Sequence, residues 1–241
     1  MSQHYPEHQH ACHHKTCLSH DDQSTCVALV PIFNHLDSNQ MKEIHTLTHS
    51  TSFKKGENLY QPGSQSDTLY IVSSGRVRIY RLSESGKEQL LRILNPGDFT
   101  GELALFSDTV HEAYATAMID TDICMVKRQD LQGLMMKYPS IAMKILSEFS
   151  HRLEESEKQT TRFATEKVET RLAHFLVESM DPQRKSQDVV LPMSKKDLAS
   201  YLGTTPETIS RKLLEFEEAG LIKQKTNKRI QIIDEDGLLF I

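Results

Sequence analysis

The stretch from Met193 to Gly220 restricts what this chain can fold into more than any other. Ser194 is suited to cap a helix, and Asp197 three residues on completes an approximate capping box. Leu198, Ala199 and Leu202 fall on one face of that first short helix, which breaks at Leu202-Gly203-Thr204. A second helix starts more emphatically. Thr205 is its N-cap, Pro206 takes the first helical position, and Glu207 and Thr208 fill the first turn. Ile209, Leu213, Leu214 and Phe216 are expected to form its inner face, and Gly220 ends it. Two short helices around a glycine turn form the DNA-binding helix-turn-helix pattern, in which the second helix enters the major groove. The exposed residues at its start are expected to be Glu207, Ser210 and Arg211, with Thr205 and Lys212 as further DNA contacts. Arginine pairs with guanine O6 and N7, glutamate accepts from cytosine N4 and serine serves either, which suits a G·C pair flanked by A·T.

Charge distribution agrees with a local rather than a general affinity for nucleic acid. The chain carries a net charge of −5, which argues against indiscriminate binding. Between Ser194 and Arg229, however, eight bases (Lys195, Lys196, Arg211, Lys212, Lys223, Lys225, Lys228, Arg229) face five acids. Phosphate contacts are therefore expected to concentrate in this one module. With 241 residues the chain can form two compact domains with cores of their own. No apolar run is long enough for a membrane helix, and the histidine-rich N-terminus has no secretory pattern, so the expectation is a soluble, cytoplasmic protein with no membrane partner.

The pattern changes three times along the chain. Residues 1–30 hold six of the twelve histidines and three of the four cysteines and show no hydrophobic period, so they read as a Cys/His-rich sensor arm. Pro31 to His45 resembles a short amphipathic helix carrying Ile32, Phe33, Leu36, Met41 and Ile44. From Phe53 to Lys127 the period becomes two. Leu69–Val72, Val77–Leu82, Gln89–Leu94 and Ala113–Met118 read as strands punctuated by glycines, with hairpin turns expected at Ser73-Ser74-Gly75 and Ser85-Gly86-Lys87. Residues 31–128 are thus a β-rich domain. From Gln129 the period is helical, and Leu146, Phe149, Leu153, Ser156, Thr160 and Phe163 step by threes and fours, an a/d seam suited to a dimerisation helix over residues 129–163. Residues 164–241 complete the chain as a winged helix-turn-helix. Val168–Met180 should pack against the two short helices, Asp181–Val189 reads as a polar loop, and Leu221–Lys223 with Arg229–Ile233 flank a basic wing tip.

In this order the chain resembles the CRP/FNR family of bacterial transcription regulators over nearly its whole length. The resemblance rests on GRVRIY (residues 75–80), NPGDFTGELALF (95–106) and ETISRKLLEFEEAGLI (207–222). It implies an α+β protein: an N-terminal β-roll of jelly-roll type, a long dimerisation helix and a C-terminal winged helix-turn-helix. It further implies a homodimer on double-stranded DNA, with RNA polymerase as a partner. Glu207, Ser210 and Arg211 match the reading residues of the FNR-like branch, which implies inverted repeats of half-sites like TTGAT.

The effector is the open question. Cyclic-nucleotide members carry Gly-Glu-Leu followed about ten residues on by Arg-Ser, the arginine neutralising the cyclic phosphate. Gly101-Glu102-Leu103 is present here, but the later stretch is Val110-His111-Glu112-Ala113, so a cyclic nucleotide is not expected and Gly101 and Glu102 are assigned to a turn and a cap. Cysteines clustered in a cytoplasmic protein are more often metal ligands or redox switches than structural disulfides. Cys12, Cys17 and Cys26 in the arm, with Cys124 at the end of the β-domain, could close a four-thiolate site for a [4Fe–4S] cluster. This resembles the oxygen-responsive FNR branch, although the spacing here is C-x4-C-x8-C rather than C-x2-C-x5-C. The interleaved His10, His13, His14 and His20 keep a zinc site open, and a thiol–disulfide switch would need only one arm cysteine and Cys124. A haem-dependent sensor lacks an evident axial ligand. A metal-dependent enzyme of the cupin type would need a His-x-His set where the β-region offers only His111, so no enzymatic activity is expected.

Overall fold

The computed structural model describes residues 30–106, 109–180, 188–226 and 228–241. The arm with Cys12, Cys17 and Cys26 lies outside the described residues, as does Asn227 at the wing tip. Among the described residues no helix is long and apolar enough to cross a membrane.

Val30, Ile32 and Phe33, at the start of the described residues, are fully buried, and the chain here forms a turn rather than the helix expected from Pro31 onward. The helix α1 (Ser38–Thr46) starts later because Asp37 caps it. Its carboxylate accepts from the Asn39 and Gln40 backbone N–H groups, and the Gln40 side chain accepts from the Asp37 N–H in return.

Ten strands follow: β1 (Thr48–Phe53), β2 (Asn58–Tyr60), β3 (Gln65–Ser66), β4 (Thr68–Ser74), β5 (Val77–Leu82), β6 (Glu88–Leu94), β7 (Phe99–Thr100), β8 (Thr109–Val110), β9 (Tyr114–Ala117) and β10 (Thr121–Lys127). They form two antiparallel four-stranded sheets, ordered β1-β10-β4-β7 and β2-β9-β5-β6, with β3 and β8 paired separately. Ser85-Gly86-Lys87 lies in the β5–β6 hairpin, as expected. Ser73-Ser74-Gly75 does not make a hairpin, since β4 and β5 belong to different sheets and the segment is the corner between them. The same turn residues serve either geometry. Here the backbone passes so close to β10 that a Cβ on Gly75 (φ 87°) would lie 2.3 Å from Thr121 Oγ1.

The helical stretch from residue 129 is two helices, α2 (Arg128–Lys137) and α3 (Pro139–Thr165), because Pro139 cannot continue a helix but can begin one. Ile141 and Ile145 of α3 join Val30, Phe33, Leu69, Phe99, Cys124 and Leu131 in one buried cluster against the first sheet. The seam residues part company further along. Leu146 is 52% and Leu153 60% exposed, whereas Phe149 packs against that cluster and meets Phe106 edge-on at 5.6 Å. The Phe163 ring lies against the turn at Gly203, where a Cβ would approach it to 3.3 Å.

The C-terminal part contains α4 (Val168–Glu178), β11 (Asp188–Val190), α5 (Lys195–Tyr201), α6 (Pro206–Glu218), β12 (Ile222–Gln224), β13 (Arg229–Ile232) and α7 (Glu235–Leu239). Leu172, Ala173 and Leu176 of α4 share a core with Leu198, Ile209, Leu213, Phe216 and Ile230, so α4 supports the two short helices as expected. The sequence read residues 188 and 189 as loop. They form β11, which turns the expected two-stranded wing into a sheet ordered β11-β13-β12.

The β-domain and the helix-turn-helix are joined at a sheet edge. Strand β6 ends its sheet, and α5 covers its open side. The Ser200 hydroxyl accepts from the Leu90 N–H at 2.7 Å and donates to the Glu88 carbonyl at 2.8 Å. Leu90 itself sits in the core of the DNA-binding part.

Candidate nucleic-acid interface and effector region

Helix α6 presents its polar start because its apolar residues are spent inward. Ile209, Leu213 and Phe216 are buried, and the Thr205 hydroxyl accepts from the Thr208 N–H at 3.3 Å. Glu207, Ser210 and Arg211 are exposed on the outer face. The Glu207 carboxyl is held below its usual range by the backbone N–H at the helix start and by Thr205, so it is an acceptor at neutral pH. Arg211 Nε lies 3.8 Å from Glu215 Oε1.

Two residues depart from the expected picture. Lys212 turns toward α4, with its ammonium 2.7 Å from Glu215 and 3.7 Å from Glu169. Leu214, assigned from sequence to the inner face, is 51% exposed. A leucine fits either side of an amphipathic pattern, and only the packing of Leu213 and Phe216 shows which side is full. Around α6, Lys196, Lys223, Lys228 and Arg229 are exposed, while Lys195 bonds Gln224 at 3.2 Å and Lys225 bonds Asp188 at 2.8 Å.

A half-open cavity of about 790 Å³ lies between the β-domain, α3 and the C-terminal part, and its lining includes Tyr60, Arg81, Arg92, Glu102, His111 and Arg152. Gly101 (φ 84°) starts the 3₁₀ turn Glu102–Leu105 as a backbone cap, in keeping with the turn role expected of it. Glu102 is buried and pairs with Arg92 at 3.2 Å and with Arg152 of α3 at 3.0 Å. Burial pushes its carboxyl up, but the two arginines outweigh burial and hold it below the ordinary range. Glu112 points outward and pairs with Arg81. His111 stacks on Tyr60 at 3.7 Å between ring centres, and its burial pushes the imidazole down. Burial also pushes the Tyr60 hydroxyl up to about 12, with Thr100 as its hydrogen-bond partner at 2.7 Å. Sequence reading missed the three arginines because β5, β6 and α3 bring them together from far apart.

Cys124 is 2% exposed on β10, directly across from Ser50 of β1, with Sγ and Oγ 3.7 Å apart. It belongs to the same buried cluster as Val30, the first described residue after the arm. Among the described residues no group of three or more His, Cys, Asp or Glu forms a metal site.

Comparison with known proteins gives these arrangements a lineage. Residues 50–138 match the cyclic nucleotide-binding domain and residues 170–241 the Crp-like helix-turn-helix domain. The chain is 32% identical over 214 residues to the probable transcriptional regulator flp of Lacticaseibacillus casei, covering 89% of this chain and 96% of the relative. It is 28% identical over 230 residues to the anaerobic regulatory protein of Haemophilus influenzae, covering 92% and 88% of the two chains. The structure of FixK2 from Bradyrhizobium japonicum superposes with a TM-score of 0.69 at 29% identity, over 79% of this chain and 95% of the other. The chain belongs to the CRP/FNR family of transcription regulators. It is accordingly a DNA-binding regulator of that type.

Proposed function

We propose that this regulator works as a homodimer that reads an inverted repeat of TTGAT-like half-sites and responds to oxygen or redox state through Cys12, Cys17, Cys26 and Cys124. The exposed Glu207, Ser210 and Arg211 at the start of α6 support the DNA reading. Arg211 pairs with a guanine, Glu207 accepts from a cytosine, and Ser210 hydrogen-bonds a neighbouring base edge. Thr205 orders the first turn, and Lys196, Lys228 and Arg229 contact phosphates beside the groove. Met143, Leu146 and Leu153 expose an apolar stripe on α3 that a second copy covers, placing two copies of α6 about one DNA turn apart. RNA polymerase is the partner on bound DNA.

The sensing half rests on the placement of Cys124. Its thiol is buried in the cluster that Val30 anchors, and Cys26 is four residues before Val30. Four extended residues span about 14 Å at most, so the arm begins within short reach of that cluster. An all-thiol donor set of one strand cysteine and three arm cysteines fits an iron–sulfur cluster, which supplies chemistry that oxygen destroys. This chain's residues translate that loss into a change of packing. Val30, to which the arm is joined, packs with Ile141 and Ile145, so a change in the arm is passed to α3 and to the dimer equilibrium. The name of the Haemophilus influenzae relative, an anaerobic regulatory protein, agrees with this reading. A zinc site or a dithiol switch built on the same cysteines is the alternative.

The decisive experiment purifies the protein without oxygen and follows absorbance, iron, sulfide and affinity for the repeat before and after air. Absorbance near 400–420 nm with about four irons and four sulfides per chain, lost in air together with affinity, is expected. The Cys124→Ser variant should show neither the absorbance nor the air dependence. A colourless protein whose affinity ignores air overturns the sensing half and leaves the DNA reading intact.

A further inference from the structure

Helix α6 carries one large apolar side chain on its outer face, and its inner packing is complete without it. Ile209, Leu213 and Phe216 fill the core side, while Leu214 is half exposed. Its direction is fixed by the helix. Seven residues after Glu207 is about 20° short of two full turns, so Leu214 projects almost directly in line with Glu207. It follows Ser210 by four residues and Arg211 by three, which puts it on the same stripe as both. Lys212, about 200° round the helix from Leu214, is on another side and is drawn toward Glu169 and Glu215. The polar triad therefore continues into an apolar residue about 6 Å further along the axis than Ser210.

A major groove offers an apolar side chain one kind of matching group, the C5-methyl of thymine. We propose that Leu214 reads a thymine through that methyl, about one to two base-pair steps from the base edge met by Ser210, and so is a specificity-determining residue of α6. The inference rests on the reading of α6 as the groove-facing helix. It extends that reading from hydrogen bonds at the helix start to an apolar contact one turn further on. The half-exposed leucine is then explained by its partner, since a methyl contact removes part of it from water.

The test uses the full-length protein and a duplex carrying two inverted TTGAT half-sites. Each thymine is replaced in turn by deoxyuridine, symmetrically in both half-sites, which removes one methyl and keeps every hydrogen-bonding group. Removing the contacted methyl should weaken the wild-type protein about fourfold per half-site, or roughly fifteenfold for the symmetric pair. Leu214→Ala should bind the thymine and deoxyuridine duplexes alike at that position, while Leu214→Met should keep most of the difference. Alanine at this exposed site preserves the helix, so the variant is a folded one. Indifference of the wild-type protein to every replacement, or equal sensitivity in Leu214→Ala, overturns the proposal. If the wild-type protein does not prefer the repeat over a scrambled duplex of equal composition, the groove reading itself fails, which is a separate result.

Discussion

Helices α3 and α6 are built on one plan and finished differently. Each buries one face: α3 through Ile141 and Ile145, α6 through Ile209, Leu213 and Phe216. Each leaves the opposite face to solvent. On α3 that face is apolar at Met143, Leu146 and Leu153, with Lys158 bridging to Glu154 at 2.8 Å and Glu155 at 3.2 Å further along. On α6 it begins with Glu207, Ser210 and Arg211 beside a helix N-terminus that favours negative charge. Periodicity reveals that both helices have an outer face. On the proposed reading, the chemistry of that face decides what replaces the water: a second apolar stripe in one case, a row of base edges and phosphates in the other.

The strongest way to break this comparison is to put a charge on the apolar face. Leu153→Asp would place an unpaired carboxylate in the middle of the α3 seam in both copies, at a cost of several kcal/mol. Sedimentation should show monomers, and affinity for the inverted repeat should fall by about 100-fold or more, because each copy then binds one half-site alone. Affinity for an isolated half-site should stay as it was, since α6 is untouched. A Leu153→Asp protein that remains dimeric and binds the repeat normally would show that this face has another use.

A smaller effect is expected at the anchor that ties α3 to the β-domain. Arg152 of α3 meets Glu102 at 3.0 Å, donates to the Phe99 carbonyl at 3.2 Å and lies over the Phe99 ring at 4.3 Å. Glu102 is held ionised because Arg92 and Arg152 outweigh the cost of its burial. A carboxylate lowered in the folded state stabilises the protein above its ordinary value, here 4.5, and that contribution disappears as pH falls through the folded value. Glu102→Gln, which leaves Arg92 without its charge partner and Arg152 with Glu148 alone, should cost about 3 kcal/mol at pH 7. The gap from wild type should narrow as pH falls below 4.5, where the carboxyl becomes neutral in the unfolded chain first, and close only once pH has fallen through the lower folded value. Denaturant melts at pH 7 and pH 4 measure both points. An equal deficit at the two values would show that Glu102 acts through shape rather than charge.

These two helices also mark how far the sequence could be read. The start of α6 was legible because Thr205-Pro206 is a local signal that tertiary packing does not need to complete. The strand Val77–Leu82 was legible for the same kind of reason, since alternation is a property of the strand alone. The corner at Ser73-Ser74-Gly75 was not, because a turn that reverses a hairpin and one that changes sheets use the same residues. Nor was β11, whose three residues become a strand only by pairing with β13. At the candidate site the same division holds. Glu207, Ser210 and Arg211 could be placed from helical spacing. Leu214 could not, because an apolar residue beside Leu213 and Phe216 reads as core until the core is seen to be full. The joining of Glu102 to Arg92 and Arg152 depends on two chain segments meeting across a cavity, which spacing does not encode.

The smallest expected effect sharpens what makes α6 a reader at all. Thr205 was expected both to cap the helix and to touch DNA, and its hydroxyl accepts from the Thr208 N–H. Thr205→Ala should lower stability by about 1 kcal/mol, the usual worth of such a cap, while Thr205→Ser keeps the acceptor and nearly all of the stability. If capping is its whole contribution, affinity for the repeat follows the same order, because a frayed first turn misplaces Glu207 while the serine variant holds it. If Thr205→Ser restores stability but not affinity, the threonine methyl itself touches the DNA. The outer face of α6 would then carry apolar contacts at both of its ends, at Thr205 and at Leu214, and would resemble the α3 face more than its polar triad suggests.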